Sequence, residues 1–520
     1  VLALLIGFVV GSKFSSIFSA EGVSAGSDKF NEVLNLTKKH YYKDISTNEL
    51  VDDAIVGMLE SLDPHSVYIP PVEQEAIAEQ FKGNFDGIGI EFQILEDTIT
   101  VVTPIVGGPS EAVGIFAGDR IVEIEKKNCV GFDNQQVLKN LRGDRGTKVK
   151  LKIYRPFGSK LIDFTIVRDQ IPLHTVEASI LVSDSVGYVS LSKFTDTSTL
   201  EVKDALSKLA KIGMKKVILD LRNNPGGYLK QAHQIADLFI DSTKMIVYTK
   251  EKNDAPGDEY KAEKDYHYEN MPLVVLINKG SASASEIVSG AIQDWDRGLI
   301  VGETSFGKGL VQRPFTLPDK SAVRLTIAKY FTPLGRAIQR SYKNRDDYYV
   351  EVHDRVEEEG ENFAHNAELD STKKVFYTKS GKKVLGGGGI TPDYIVVNNE
   401  LTDFSIKLRS NNIFYEFIRK YLDANGNKTK IVKNYNNDFL KFKDNFSLTE
   451  KELGNFVKFV ISNNITFDKN EFNHDKKYIK QRLKAHIARE FWQNNGWYAV
   501  LLKEDKQFTK AHELIRKINR

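Results

Sequence analysis

The spacing of hydrophobic and polar positions changes several times along the chain. Residues 28–80 carry apolar side chains at helical spacing, and a proline-containing segment, 61–71, stops these helices. Residues 81–170 consist of short apolar segments between glycine-rich turns. This pattern predicts a small β-rich domain, interrupted by one short helix at 134–141.

The central segment, residues 171–395, alternates apolar runs with helical stretches. Runs such as KKVILDLR and PLVVLIN are typical of strands buried on both faces, and the stretches between them are amphipathic. This alternation predicts a mainly parallel sheet covered by helices. Residues 396–520 are again helical in pattern and rich in Lys and Asn. Overall we expect an α/β and α+β multidomain protein with a C-terminal helical extension.

The first residues, VLALLIGFVVG, are almost entirely apolar but shorter than the roughly 20 residues that span a membrane. Small residues follow, and Val23–Ala25 is a candidate cleavage site. We therefore expect residues 1–27 to be an export signal or the remnant of an anchor. Export would place the protein in the bacterial periplasm or on the periplasmic face of the inner membrane. A buried helix at the chain end is the alternative.

Composition and charge narrow the classes of function. The chain has 520 residues, of which 41% are hydrophobic and 27% charged, as is typical of a globular protein. Its formal net charge of +2 gives no case for nucleic-acid binding. The single cysteine, Cys129, excludes an internal disulfide and a cysteine-cluster metal site. We interpret its thiol as structural, since it lies at the edge of a predicted strand.

Three alternating serines, Ser281, Ser283 and Ser285, lie between a buried strand and a predicted helix. A serine at such a turn is close to unpaired backbone N–H groups and to the positive end of the helix dipole. Both features stabilise an oxyanion, so a nucleophile is well placed here. The segment Ser283–Glu286 also matches a capping box, and the pattern leaves the two interpretations open.

A serine nucleophile needs a base, and the surrounding segment contains no histidine. Lys308, which lies between two glycines, is the nearest candidate, although its pKa must fall several units from about 10.4. Gln312 is four residues later and is expected to hold the amine by a hydrogen bond. Residues 302–308 also fit a phosphate-binding pattern, but Gly309 replaces the required hydroxyl, so we do not assign nucleotide binding.

The segment LDLRNNPGG, residues 219–227, ends a buried strand with two adjacent glycines. Paired glycines let the backbone approach another group closely and direct N–H groups toward it. This turn is therefore a candidate for part of an oxyanion hole. The alternative is an ordinary strand-to-helix turn, in which Asp220 and Arg222 form a structural ion pair.

Three segments together, 219–227, 278–287 and 302–312, resemble the carboxyl-terminal processing, or tail-specific, serine protease family. Supporting matches lie at 61–69, 331–339 and 388–393, and the β-rich domain resembles a PDZ domain through FDGIGIEF and GPSEAVGIFAGDRIVEIE. The resemblance implies a crotonase/ClpP-like protease core with an inserted PDZ domain. The expected regions are an export or anchor segment (1–27), N-terminal helices (28–80), the PDZ domain (81–170), the protease core (171–395) and the helical extension (396–520).

The resemblance implies a serine endopeptidase with a Ser–Lys dyad and with no cofactor or metal. The implied catalytic residues are Ser283, Lys308 and Gln312. The implied oxyanion-hole residues are Gly226 and Ala284, and the implied supporting residues are Asp220, Arg222 and Glu286. In this assignment Ser283 is the nucleophile, Lys308 is the general base and Gln312 orients the lysine. The backbone N–H groups of Gly226 and Ala284 bind the oxyanion.

Gly87, Ile88, Gly89 and Ile90 match the loop of PDZ domains that receives a chain terminus. The implied partners are proteins or peptides with exposed apolar C-terminal tails, and not nucleic acids. The C-terminal helices are expected to mediate self-association or to bind an adaptor, and the N-terminus to serve as a membrane anchor. The alternatives are a catalytically silent PDZ scaffold in the cell envelope and a crotonase-like acyl-transfer enzyme.

Overall fold

The chain folds into two compact units: one combines the chain up to Gln74 with Gln312–Thr326, and the other combines Glu75–Val311 with Ile327–Arg520. The computed structural model describes residues 23–105, 107–156, 161–342, 348, 350–352, 355, 357, 359–361, 373–398, 400–424, 426–435 and 438–518. The apolar segment VLALLIGFVVG, which we interpret as part of an export signal, lies outside these residues. No helix among the described residues is long and apolar enough to cross a membrane.

The N-terminal part of the smaller unit is mostly helical, as the apolar spacing predicts. It contains α1 (Val23–His40), α2 (Thr47–Glu60) and β1 (Val67–Ile69), and the chain then enters α3 (Pro71–Lys82). The candidate cleavage site therefore lies in the first turn of α1. β1 pairs antiparallel with a strand that begins at Ala322.

The β-rich domain is confirmed, and its predicted helix is present. Its elements are β2 (Asn84–Gly87), β3 (Ile90–Leu95), β4 (Thr98–Pro104), α4 (Pro109–Ala112), β5 (Arg120–Ile124), β6 (Lys127–Asn128), α5 (Asn134–Leu141), β7 (Lys148–Tyr154), β8 (Ile162–Val167) and β9 (Asp169–Pro172). The main sheet has the order β3-β4-β5-β7-β8, so β3 is an edge strand. β2 pairs with β9 and joins the two ends of the domain.

Cys129 is fully buried in the core of this domain. Burial raises the pKa of its thiol to about 11, so the thiol stays protonated at neutral pH. The structural interpretation of the cysteine is therefore confirmed.

The central segment alternates strands and helices, as predicted. Its elements are β10 (Val176–Ser183), β11 (Val186–Leu191), α6 (Ser198–Lys211), β12 (Lys216–Asp220), α7 (Leu229–Asp237), β13 (Met245–Lys250), β14 (Pro256–Lys261), β15 (Leu273–Ile277), α8 (Ala284–Asp294), β16 (Leu299–Gly302), β17 (Leu310–Thr316), β18 (Ala322–Phe331), β19 (Gly360–Glu361), β20 (Val375–Tyr377), β21 (Lys383–Leu385) and β22 (Tyr394–Ile395). The main sheet has the order β10-β11-β12-β15-β16-β22-β19. Within it, the five strands β11, β12, β15, β16 and β22 run parallel.

The parallel arrangement places three chemistry-bearing turns at one edge. Asp220 is opposite Leu276 in the sheet, and Ile277 is opposite Gly302. The turns that follow β12, β15 and β16 therefore begin side by side, although they are up to about 80 residues apart in sequence. A second, antiparallel set of strands, β13 with β14 and with the end of β18, is not evident from the sequence pattern.

The C-terminal region is helical, as predicted. It contains α9 (Asp403–Ser410), α10 (Ile413–Asp423), α11 (Asn427–Tyr435), α12 (Phe439–Asn445), α13 (Glu450–Ser462), α14 (Lys469–His474), α15 (Lys476–Leu501) and α16 (Lys506–Lys517). Helices α9 to α15 enclose an aromatic-rich core of their own.

The last helix, α16, does not belong to this helical core. One face of the parallel sheet is covered by α6, α7 and α8, which follow the strands directly in sequence. The other face includes Ile218, Val274 and Val301 and packs against Phe508 and Leu514 of α16. The C-terminal region is therefore not a simple extension, because its last helix covers one face of the α/β core.

Candidate active site

Ser283 occupies a strained position at the start of α8. Its backbone φ is 56° and its ψ is −111°, a conformation that is costly for a residue with a side chain. Its N–H group donates to Glu286 Oε2 at 2.7 Å, as the capping-box interpretation predicts. Such strain is typical of turns that project a nucleophile, so the capping and catalytic interpretations are compatible.

The two neighbouring serines are held by other contacts. Ser281 is fully buried, and its hydroxyl donates to Leu221 O at 2.8 Å. Ser285 is also fully buried, and its hydroxyl donates to Asn224 O at 2.9 Å. Both hydroxyls therefore join the candidate nucleophile turn to the turn after β12. Ser283 is half-buried, which distinguishes it from its neighbours in a way that the residue pattern does not.

Glu286 brings the backbones of Ser283 and Lys308 together. Its Oε2 atom accepts from the N–H of Ser283 at 2.7 Å and from the N–H of Lys308 at 2.9 Å. Its Oε1 atom accepts from the Ser305 hydroxyl at 2.5 Å and from the N–H of Gly307 at 2.7 Å. One buried carboxyl group thus joins the nucleophile turn to the lysine segment.

Glu286 is fully buried. Burial raises the pKa of Glu286, and the four hydrogen bonds that it accepts oppose this effect. Replacing its oxygens with groups that do not accept hydrogen bonds would leave buried N–H groups without partners.

Tyr330, which sequence reasoning missed, forms a second bridge between the same two segments. Its hydroxyl lies 3.1 Å from Ser283 O and 2.5 Å from Lys308 O and donates toward both carbonyls. Burial raises the pKa of Tyr330 well above its ordinary value, so the hydroxyl keeps its proton. The nearby segment 331–339 resembles the protease family, but no pattern in the sequence identifies this tyrosine.

Gly226 lies directly against the nucleophile turn. A Cβ atom at this position would lie 2.8 Å from Ser283 Cβ and 2.9 Å from Ala284 N, and the backbone φ is +98°. Only glycine fits such a close approach without strain. Ala284 has the first N–H of α8, which no carbonyl of its own helix satisfies. The N–H of Gly226, however, donates to Asn224 Oδ1 at 2.9 Å in this structure.

Asp220 and Arg222 form the ion pair that the sequence suggests, at 2.6 Å. Tyr188 also donates to Asp220 Oδ2 at 2.6 Å, and Arg222 reaches Asp505 in the C-terminal region at 2.7 Å. These contacts fix the start of the turn after β12. The sequence does not indicate the partner in the C-terminal region, because it is 283 residues away.

A second buried ion pair, Arg336 with Asp294, was also missed. Their atoms are 2.6 Å apart and both side chains are fully buried. Arg336 also donates to Leu385 O at 2.9 Å. The pair ties the C-terminal end of α8 to the segment after β18, so it supports the helix that begins at the candidate nucleophile.

Gln312 is a half-buried residue of β17 and belongs to the smaller unit. The remaining predicted residues, Gly87 to Ile90, form the connection between β2 and β3. Gly89 has a φ of +73°, and Ile88 O accepts from the N–H of Ser110 at 3.1 Å. A Cβ at Gly87 would lie 3.9 Å from the Cα of Arg142, at the end of α5. The loop therefore adjoins both the edge strand β3 and α5.

Comparison with known proteins identifies the family. Residues 185–349 match peptidase family S41, residues 100–155 match a PDZ domain, and residues 14–71 match the N-terminal domain of the activating protease CtpB. Residues 404–493 match a family of unknown function. The carboxy-terminal processing protease CtpA of Bacillus subtilis is 33% identical over 455 residues, which cover 87% of this chain and 88% of that protein.

The chain is also similar to a second curated protease and to a protease of known structure. A probable CtpA-like serine protease of Staphylococcus saprophyticus is 33% identical and covers 82% of this chain and 87% of its own length. The photosystem II D1 C-terminal processing protease is 31% identical, covers 59% of this chain and 82% of its own, and has a TM-score of 0.34. The chain belongs to peptidase family S41: it is a CtpA-like, carboxy-terminal processing serine protease with a PDZ domain.

Proposed function

We propose that the protease hydrolyses peptide bonds with a dyad of Ser283 and Lys308. The observation that carries the proposal is that Glu286 Oε2 and the hydroxyl of Tyr330 each contact the backbones of both dyad residues. These bridges hold two residues that are 25 positions apart in adjacent turns. Ser281 and Ser285, by contrast, have hydroxyls bonded to buried carbonyls.

In the proposed reaction, the neutral amine of Lys308 takes the hydroxyl proton of Ser283 as Oγ attacks the carbonyl carbon of the substrate. The C–N bond then breaks, the proton passes to the leaving amine, and an acyl-enzyme remains. Water hydrolyses this ester by the same route. Gln312 orients the lysine in this proposal.

The N–H groups of Gly226 and Ala284 would stabilise the oxyanion. Because Gly226 N–H donates to Asn224 in the structure, its use requires this bond to break as the substrate binds. The proposal therefore includes a small rotation of the peptide at Gly226. The close approach of Gly226 to Ser283 and Ala284 supports the assignment.

The test compares wild-type protein with Ser283→Ala on a protein substrate, and the products are identified by mass spectrometry. We expect cleavage to fall by at least about 10⁴-fold, because the hydroxyls of the neighbouring Ser281 and Ser285 are held by buried carbonyls. Ser289→Ala is the matched control: Ser289 lies in α8, the helix that begins after Ser283, and its hydroxyl donates to Ser285 O. Retention of cleavage in Ser283→Ala would refute the dyad.

We propose that the PDZ domain selects substrates by their exposed apolar C-terminal tails. An extended tail would add to β3 at the edge that pairs with no other strand among the described residues, with its carboxylate at the loop Gly87–Ile90. Removing the tail from a substrate should slow its cleavage, and an unchanged rate would refute this role. The alternative, a catalytically silent scaffold in the cell envelope, is disfavoured by the family and by the set of site residues.

The remaining expectations stay proposals. The parallel sheet with helices on both faces supports a crotonase/ClpP-like core. The apolar residues 1–11 support export to the periplasm or to the periplasmic face of the inner membrane, which cell fractionation tests. Self-association or adaptor binding through residues 396–520 is tested by measuring the mass of the protein in solution with and without this region's helices α9 to α15.

A further inference from the structure

The last helix of the chain reaches the edge of the sheet where the site lies. Phe508, Ala511, Leu514 and Ile515 of α16 bury their side chains on one face of the core sheet. In this packing, the N-terminal end of α16 lies near the carboxyl ends of the strands. The residues at that end are the ones that contact the catalytic turns.

Gln507, in the first turn of α16, is fully buried and contacts two of these turns at once. Its Oε1 atom accepts from Arg222 Nη1 at 3.1 Å. Its Nε2 atom donates to Glu303 Oε2 at 3.2 Å and to Val396 O at 2.8 Å. Asp505 adds an ion pair with Arg222 at 2.7 Å.

The two contacted residues begin the segments that carry the proposed chemistry. Arg222 opens the turn that places Gly226 against Ser283, and Glu303 opens the segment that ends at Lys308. A single amide side chain thus lies across the bases of both turns. Because a displacement of about 1 Å at a reacting group costs up to about 10²-fold in rate, a group that sets the spacing of these turns affects catalysis without touching substrate.

We propose that Gln507 is a positioning residue of the protease site, acting on the turns that begin at Arg222 and Glu303. The inference rests on the proposed Ser–Lys function. The proposal assigns a role in the reaction to α16. This helix follows residues 404–493, which match a family of unknown function, and its own sequence shows no family motif.

Two variants test these contacts. Gln507→Leu removes all three hydrogen bonds of the amide while keeping a side chain of similar size, and we expect kcat to fall about 10-fold with KM unchanged. Gln507→Glu keeps an acceptor for Arg222 but places an oxygen against the Glu303 carboxylate. We expect a similar loss in this variant, because it is the separation of the two turns that changes.

The pH profile gives a second readout. Burial raises the pKa of Glu303, and the donor from Gln507 opposes this effect. Glu357 raises this pKa further, while Lys279 and Arg222 lower it. Loss of the Gln507 donor should therefore shift the acid limb of the kcat profile to higher pH in both variants.

The matched control is Leu514→Ala, on the same face of α16 but distant from both turns. It should lower the melting temperature and leave kcat of the folded protein and its pH profile unchanged. The inference is wrong if the Gln507 variants change kcat only in proportion to the fraction of unfolded protein, or leave the pH profile unmoved.

Labelling with a serine-reactive fluorophosphonate probe distinguishes this failure from failure of the dyad. If Ser283→Ala still labels and cleaves, the proposed function fails, and the positioning role fails with it. If Ser283→Ala is inert while both Gln507 variants behave as wild type, only the inference about Gln507 is overturned. Inert Ser283→Ala together with the expected Gln507 effects supports both.

Discussion

The turn at Ser283, proposed as the nucleophile turn, and the loop at Gly89, proposed as the peptide-binding loop, share a positive φ, 56° and +73°. They are held in different ways. At Ser283, a buried carboxylate and a tyrosine hydroxyl supply the contacts, and the tyrosine is 47 residues away. At Gly89, the contacts come from nearby backbone, such as the N–H of Ile105 on Gly89 O at 3.0 Å.

The difference indicates which substitutions each region tolerates. The nucleophile turn depends on buried polar side chains, so a change in those side chains should disturb it even when the backbone is untouched. The peptide-binding loop depends on a glycine conformation and local backbone bonds. A change at its glycines should matter more there than changes in distant side chains.

The largest effect expected from this comparison is that of Glu286→Gln. The amide has only one acceptor oxygen, so buried N–H groups at the catalytic turns lose their partner at about 1–3 kcal/mol each. We expect kcat to fall by about 10²-fold, measured by steady-state cleavage alongside thermal unfolding. Glu75→Gln, on an exposed position of α3, is the control. A wild-type kcat in Glu286→Gln would break the comparison.

Gly89→Ala tests the proposed peptide-binding loop. An alanine in this left-handed backbone conformation costs about 1–2 kcal/mol, and its Cβ would lie 3.0 Å from Ile171. We expect kcat/KM to fall about 10-fold for substrates with an apolar tail, and to stay unchanged for the same substrates without it. Gly146→Ala, at a similar φ of +85° with open space around it, controls for backbone strain. Equal effects of both variants would contradict the loop assignment.

Tyr330→Phe measures the second bridge at the nucleophile turn. Loss of one hydroxyl removes a hydrogen-bond contribution of about 1 kcal/mol, so we expect kcat to fall about 5-fold with little change in KM. Tyr260→Phe, whose hydroxyl contacts Asp258 outside the site, should retain wild-type kinetics. If both variants behave alike, the tyrosine bridge plays no part in catalysis.

The last prediction concerns stability and not catalysis, and it sharpens the comparison by placing acid sensitivity in the helical region. Burial among aromatic rings, together with the charges of Arg482 and Arg489, lowers the pKa of His486 to about 3. The unfolded chain then binds a proton below pH 6.5 that the folded state excludes. Stability is therefore retained above this pH and falls by about 1.4 kcal/mol per pH unit below it.

This acid sensitivity is measured by thermal unfolding between pH 7 and pH 4. His486→Leu should flatten the profile, whereas His267→Leu, at an exposed position, should not. Glu286 contributes in the opposite direction: its pKa is raised, so protonation below its folded pKa relieves the cost of a buried charge. Acid instability that persists in His486→Leu would show that the titrating group lies elsewhere.

Much of the architecture was predictable because its signals are local. The alternation of apolar strands and amphipathic helices predicted the parallel sheet, and the segments around 219–227, 278–287 and 302–312 predicted where its chemistry lies. Periodicity and turn residues act over a few positions, so they are visible in a single sequence. The same signals also predicted α5 and the structural role of Cys129.

The sequence by itself determined the kinds of elements, their order and the three segments that carry chemistry, since each depends on neighbouring residues. The residue pattern did not separate Ser283 from Ser281 and Ser285, and only the family resemblance named Ser283. The tertiary structure gives the physical difference, because the other two hydroxyls contact buried carbonyls. It alone placed Tyr330 and Gln507 beside the site. Their contacts join residues brought together by folding, and no local spacing along the chain encodes them.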